Sequence, residues 1–174
     1  RVTILLDKGL VDLDQLAGNY GVARLLITPA DDTANPPTPA VYEDDDAFRA
    51  RVLLSLEGYT TAGSRGSYQF HALSASSDVL DVGVTSLEPG TVNIAILSRT
   101  GAGNAPAATI ASVTAALNAE TIRPLCDTVQ VASAVIVPYD VSASLRVYAG
   151  IDQAAVVAAA TSALQGYASA QHRL

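Results

Sequence analysis

The sequence predicts an α+β fold: a two-layer sandwich with helices packed on a mainly antiparallel sheet, partly in ferredoxin-like order, behind a small N-terminal β-containing segment. Three observations carry this. First, apolar residues alternate with polar ones over 80–85 and 92–97, the pattern of half-buried strands. Second, Phe48, Val52, Leu53 and Leu56 recur at helical spacing, as do Ile110, Val113, Thr114 and Leu117. Third, from residue 79 onward the elements follow in the order β-β-α-β-β-α, which suits helices laid on one face of a sheet. Without its first strand that run is the ferredoxin-like order lacking a last strand.

Taken in order, Arg1–Asp7 and Ala23–Thr28 read as strands rich in branched residues, with one or two helical turns at Val11–Ala17 between them. Asp12 and Asp14 sit early in those turns, where the helix dipole favours negative charge. Residues 29–41 hold four prolines in thirteen positions, which fixes φ and removes donors, so this stretch is an extended loop and a boundary. The expected organisation is therefore 1–42, an N-terminal β segment with a Pro-rich linker, and 43–174, an α+β domain. Within the latter, 43–76 is a helical pair and 79–174 the ββαββα run.

A helix over Asp44–Leu56 is announced by three consecutive aspartates, which cap it and complement its dipole, and Asp45 and Arg49 stand at i,i+4. Gly58 occupies the position of a left-handed C-cap. A Gly/Ser turn leads to a second helix, Tyr68–Ala75, with Tyr68, Ala72 and Ala75 on one side. Pro89-Gly90 places proline and glycine at the two central positions of a type II turn between the strands at 80–85 and 92–97. Pro106 opens the next helix after the loop 100–105. Val129 and Val131 begin another strand. Val141, Ala143, Leu145 and Val147 alternate along a further one, and Gln153–Ala170 is a long alanine-rich helix expected to pack closely on sheet and neighbour.

Composition excludes several functions. The chain of 174 residues has a net charge of −7 and only ten Lys and Arg, with no basic stripe, which argues against nucleic acid. Its longest apolar run, Ala154–Ala160, falls short of the roughly 20 residues that cross a bilayer, so no membrane partner is expected despite a mean hydropathy of +0.29. A single cysteine, Cys126, rules out an internal disulfide. Arg at position 1 and the lack of any methionine predict that the chain is a piece of a longer protein.

Candidate chemistry is thin. The acidic run Glu43-Asp44-Asp45-Asp46 lacks the alternation and the glycine of a calcium loop, and consecutive acids at a helix start point apart, so a cap is expected and no metal. Gly101-Ala102-Gly103-Asn104 follows a strand and precedes a helix, but the last glycine of a dinucleotide fingerprint would fall on Pro106. His71 and His172 are the only imidazoles and have no metal-ligand spacing. His71 reads as a packed helix residue and Cys126 as a small buried hydrophobe. A Cys126/His71 pair, or the 101–104 loop, leaves a small-ligand-binding or hydrolytic α/β domain as the alternative function. No catalytic, cofactor-binding or metal residue is assigned.

One set of motifs, in order, covers nearly the whole chain: LAGNYGVARLLITPADDTANPPTPAVYE, the acidic helix DDDAFRAR, the TAG turn, GSYQFHALSA, the DVGVTS hairpin with its Pro-Gly turn, and later RPL and IVPYD. In these the chain resembles the baseplate J-like proteins of contractile-tailed bacteriophages. The resemblance implies a structural wedge component of a phage tail baseplate, with no enzymatic activity and no cofactor. Its partners would be other wedge proteins, tail hub and sheath components and further copies of itself, in a virion assembled in the bacterial host cytoplasm.

Overall fold

Val92, Ile94 and Ile96 are apolar, branched and alternate, and in the computed structural model they form the spine of the core. The structure describes residues 13–59, 63–148 and 152–174. The elements are α1 (Leu13–Gly18), β1 (Leu26–Thr28), β2 (Val41–Tyr42), α2 (Asp45–Gly58), α3 (Arg65–Ala75), β3 (Val79–Thr85), β4 (Thr91–Ser98), α4 (Ala107–Leu117), β5 (Thr128–Ser133) and α5 (Gln153–Gln171). The α+β class is the one expected. The strand expected at Arg1–Asp7, the threonine and alanine of the TAG turn and the break at Gly150 lie outside the described residues.

β4 is the centre of a three-stranded sheet ordered β3-β4-β5, antiparallel to β3 and parallel to β5. The type II turn forms as expected: the Thr91 amide donates to the Glu88 carbonyl at 3.1 Å, and Gly90 takes φ +74°. The parallel β4-β5 pair requires a crossover, which α4 supplies. α3 and α4 bury Tyr68, Ala72, Val113 and Leu117 in the same core as Val79, Val82 and the β4 residues. A second cluster, Ala17, Val22, Phe48 and Val52, joins α2 to the N-terminal residues. β1 and β2 pair antiparallel, and an isolated bridge between Asp31 and Thr38 folds the proline-rich loop onto itself. α2 and α3 therefore form the seam between two cores.

Four local expectations change. In α2 the buried face is Phe48, Arg51, Val52 and Ser55, whereas Leu53 and Leu56 are exposed. Arg49 pairs with Asp46, and Asp45 pairs instead with Arg24, because a guanidinium from the adjoining segment reaches the first turn. Gly58 closes α2 without a left-handed cap. Its role is close approach, since a Cβ there would run into the Phe70 ring. In β3 a bulge between Val79 and Asp81 shifts the register, so Val79 and Val82 face the core and Leu80 turns outward.

The largest correction concerns the end of the chain. No strand forms at 140–148, so the order from 79 onward is β-β-α-β-α and not β-β-α-β-β-α. Period-2 alternation alone does not make a strand: ladder hydrogen bonds to a partner are needed too, and residues 140–148 pair with neither outer edge of the β3-β4-β5 sheet. Val141 and Leu145 are accordingly exposed, as are Val157, Leu164 and Tyr167 on α5. α5 does not pack along the sheet as expected. The residues that follow it do approach the sheet: the Leu174 amide donates to Asp81 Oδ2 at 2.9 Å, and Leu174 lies where a Cβ on Gly83 would touch it.

Candidate functional site

Each polar group singled out in the sequence has a structural employer. Asp44 caps α2, its carboxylate accepting from the Asp46 and Ala47 amides at 3.0 and 2.9 Å. Asp45 meets Arg24 at 2.9 Å and Asp46 meets Arg49 at 2.7 Å. The four consecutive acids thus face different partners. Among the described residues, no group of three or more His, Cys, Asp or Glu is placed to hold a metal ion.

Glu43 behaves differently from its three neighbours. It is buried against Arg51, whose Nε and Nη2 donate to its two carboxylate oxygens at 3.1 and 2.7 Å. Arg51 Nη2 also donates to the Ala23 carbonyl at 2.6 Å, and the Leu25 amide donates to Glu43 at 3.3 Å. Arg24 lies alongside, forked onto Asp14 and 4.5 Å from the Phe48 ring centroid. Its guanidinium holds the Asp14 carboxyl below the usual carboxylate range. The sequence reading missed this joint. Its signal was an arginine inside the apolar stripe of α2, which needs a buried acid nearby.

The 101–104 loop is folded back on β4. The Ser98 amide donates to the Gly103 carbonyl at 2.8 Å, and Gly101 and Gly103 take φ +62° and +98°. A Cβ on Gly103 would stand 2.8 Å from Leu97 and 3.1 Å from the His172 ring. Gly103 serves that close packing, whereas Gly101 has open space around it and serves the positive φ of the turn. His71 packs edge-on against Phe70 at 5.2 Å, and burial lowers its imidazole pKa against an opposing hydrogen bond with the Gly58 backbone. Cys126, expected to be buried, is exposed, because its loop turns outward at the end of the sheet. Among the described residues no hydrogen bond joins it to His71.

Two further pins hold the core. The Tyr68 hydroxyl donates to Asp127 at 2.6 Å, and burial together with that carboxylate raises its pKa. Asp78 gathers β4 and α4: Ser98 and Thr100 hydroxyls donate to Oδ1 at 2.8 and 3.0 Å, and the Thr109 hydroxyl to Oδ2 at 2.8 Å. Burial pushes this carboxyl up, but the hydroxyls outweigh it and the net pKa is lowered from 3.8. Asp78→Asn is expected to destabilise by about 1.5–3 kcal/mol at neutral pH, since an amide cannot accept on both sides. A depressed folded pKa stabilises above the unfolded value and is lost as pH falls through the folded one. Urea titrations at descending pH should therefore show the gap between wild type and variant closing below the ordinary carboxylate range. A gap independent of pH would sink this account.

What remains unsatisfied is apolar surface. Leu87 in the β3–β4 turn and Leu125 before β5 are 87% and 98% exposed. A groove of about 580 Å³ lies beside the other end of β3, with Leu54, Leu73 and Leu80 among its lining and Asp46, Arg99 and Arg173 around it. Among the described residues no helix is long and apolar enough to cross a membrane.

Residues 60–133 match the family model described as the Baseplate J-like central domain. Over 163 residues the chain is 47% identical to Baseplate protein J of Escherichia phage P2, an alignment that takes in 94% of this chain and 54% of the relative. The chain thus spans about half the length of the curated relative it matches.

Proposed function

Since residues 60–133 belong to the Baseplate J-like central-domain family, we propose that the chain is a structural component of a contractile phage tail baseplate, acting as a wedge assembly protein through protein–protein interfaces. The observation that carries this is the 47% identity to a phage baseplate protein along 94% of the chain. The side chains support it: the carboxylates are spent on caps, ion pairs and hydroxyl pins, and the exposed surface carries leucines and tyrosines.

In this reading the chain works in the virion, at the tail baseplate, after assembly in the host cytoplasm. Its partners are other wedge proteins, hub and sheath components, and further copies of itself. It is not an enzyme and uses no metal or cofactor. Residues 1–42 serve as an N-terminal segment and 43–174 as an α+β domain, with α2 as the joint between them.

The test is incorporation. An epitope-tagged chain co-expressed with tail genes is expected to co-purify with tail particles and to be seen at the baseplate end by immunogold microscopy. A chain that stays entirely in the soluble pool while complete tails form would overturn the proposal.

A further inference from the structure

Among the described residues, no helix or strand packs along α5, and its Val157, Leu164 and Tyr167 are exposed. On its N-terminal side, residues 135–148 form neither helix nor strand, and Val135, Val137, Tyr139 and Tyr148 stand open to solvent. What ties the helix to the sheet is the short run that follows it. His172 comes up against Gly103, where a Cβ would stand 3.1 Å from the imidazole ring. The Leu174 amide donates to Asp81 Oδ2 at 2.9 Å. Beside that bond the Leu174 side chain lies over Gly83, where a Cβ would meet its Cβ at 3.5 Å and its Cδ1 at 3.8 Å.

The seat for Leu174 is built into the sheet. Gly83 pairs with Ala95, and Ala95 with Ala132, so one row across three strands carries nothing larger than a methyl group. Side chains alternate along a strand, and Val82, Ile94 and Ile96 face the core under α3 and α4. Gly83 and Ala95 therefore open on the opposite face. A glycine inside a strand weakens it and marks a close approach by another part of the chain, which here is Leu174. Asp81 is held for its task as well. Its Oδ1 accepts from the Val82 amide at 2.8 Å, which leaves Oδ2 to take the Leu174 amide.

We propose that residues 172–174 are a releasable latch, and that α5 is a rigid arm held by it at the face of the sheet away from α3 and α4. The hold is light, since Leu174 keeps 53% of its surface exposed and a single solvent-facing hydrogen bond accompanies it. Released, α5 remains helical. Asp152 caps its first turn through the Ala154 and Ala155 amides, and alanine fills much of its length. It then swings as one unit about 28 Å long on the tether at 135–148, and the Gly83–Ala95 row is uncovered. The latch is independent of the baseplate reading, and no tail component enters its test.

The native thiol allows a direct measurement. Cys126 is exposed and is the only cysteine, and Gln165→Cys adds a second label site on the open surface of α5. Double electron–electron resonance between nitroxides at these two positions is expected to give one narrow distance distribution on the otherwise wild-type chain. Gly83→Val suits a strand but drives its γ-carbons into the Leu174 seat, and should at least roughly double the width of that distribution. Leu174→Pro removes the amide donor and should do the same. Gly83→Ala should stay narrow, because its Cβ meets Leu174 only at ordinary contact distance. Helical circular dichroism should be unchanged throughout. A distribution already broad in the wild type overturns the latch, as do narrow ones in both Gly83→Val and Leu174→Pro. Gly83→Ala broadening as far as Gly83→Val overturns it too. Broadening accompanied by lost helical signal also overturns it, since the arm would then melt and not swing.

Discussion

Arg51→Met is expected to lower stability by about 3–5 kcal/mol, because it leaves the Glu43 carboxylate charged and buried with its ion-pair partner gone. Both side chains are nearly closed to solvent, at 5% and 3% exposure, so water cannot take over the lost partner. Arginine is needed in particular. Its fork reaches both Glu43 oxygens while Nη2 also holds the Ala23 carbonyl and Nη1 lies 3.5 Å from Ser74 Oγ, which no lysine can reproduce. A double replacement, Glu43→Leu with Arg51→Met, removes the stranded charge and is expected to recover part of the loss. It should not recover all of it, since the Ala23 carbonyl and the Leu25 amide lose their partners, each at about 1–3 kcal/mol. Urea unfolding followed by circular dichroism measures all three. A single variant within 1 kcal/mol of wild type would show that the pair does not bind the N-terminal residues to α2.

Much of this architecture is legible in the sequence because it depends on neighbours a few residues apart. The type II turn at 88–91 follows from Pro89-Gly90, the α2 cap from Asp44, and the depth of β4 from three branched residues in alternation. The failures have non-local causes. Leu80 faces out because a bulge interrupts the period, and a bulge depends on the partner strand. Leu53 and Leu56 are exposed because α2 turns a narrower face inward, and that face includes a charged residue. Gly58 is a glycine on account of Phe70, twelve residues on, and not on account of its own φ. The alternation at 141–147 is as regular as that of β4, yet among the described residues it pairs with neither edge of the sheet.

The candidate surfaces were less legible than the fold. Motifs for catalysis and metal binding are short and can be weighed residue by residue, which is why Asp44 is legible as a cap, whereas Asp45 pairs with Arg24 and not with the expected Arg49. Leu87 and Leu125 carry no such signal. Each is one apolar residue in a loop, and only the Thr128–Gly90 bond brings their loops to one end of the sheet. The Glu43–Arg51 pair is similar: eight residues apart, the two meet only because the chain at Ala23–Leu25 crosses over them.

Phe48→Ala is expected to cost about 3–5 kcal/mol through the cavity it leaves, and the loss should fall unevenly over the molecule. Phe48 is fully buried and belongs to the small cluster with Ala17, Val22 and Val52, apart from the core under β4. Its ring also lies beneath two guanidinium groups, 4.5 Å from Arg24 and 5.6 Å from Arg51, so part of the cost is the lost cation–π attraction. Phe48→Leu separates the two contributions: it refills most of the volume and should cost under about 1.5 kcal/mol from packing, with any excess assigned to the ring. α1 has only six residues, too few to persist without tertiary support, and Ala17 is its buried contact. Hydrogen exchange on Phe48→Ala should therefore show amides of Leu13–Gly18 losing protection while those of β4 keep theirs. Equal loss in both would mean that the two clusters open as one unit, and α2 would then be an ordinary part of a single core and no longer a seam between two.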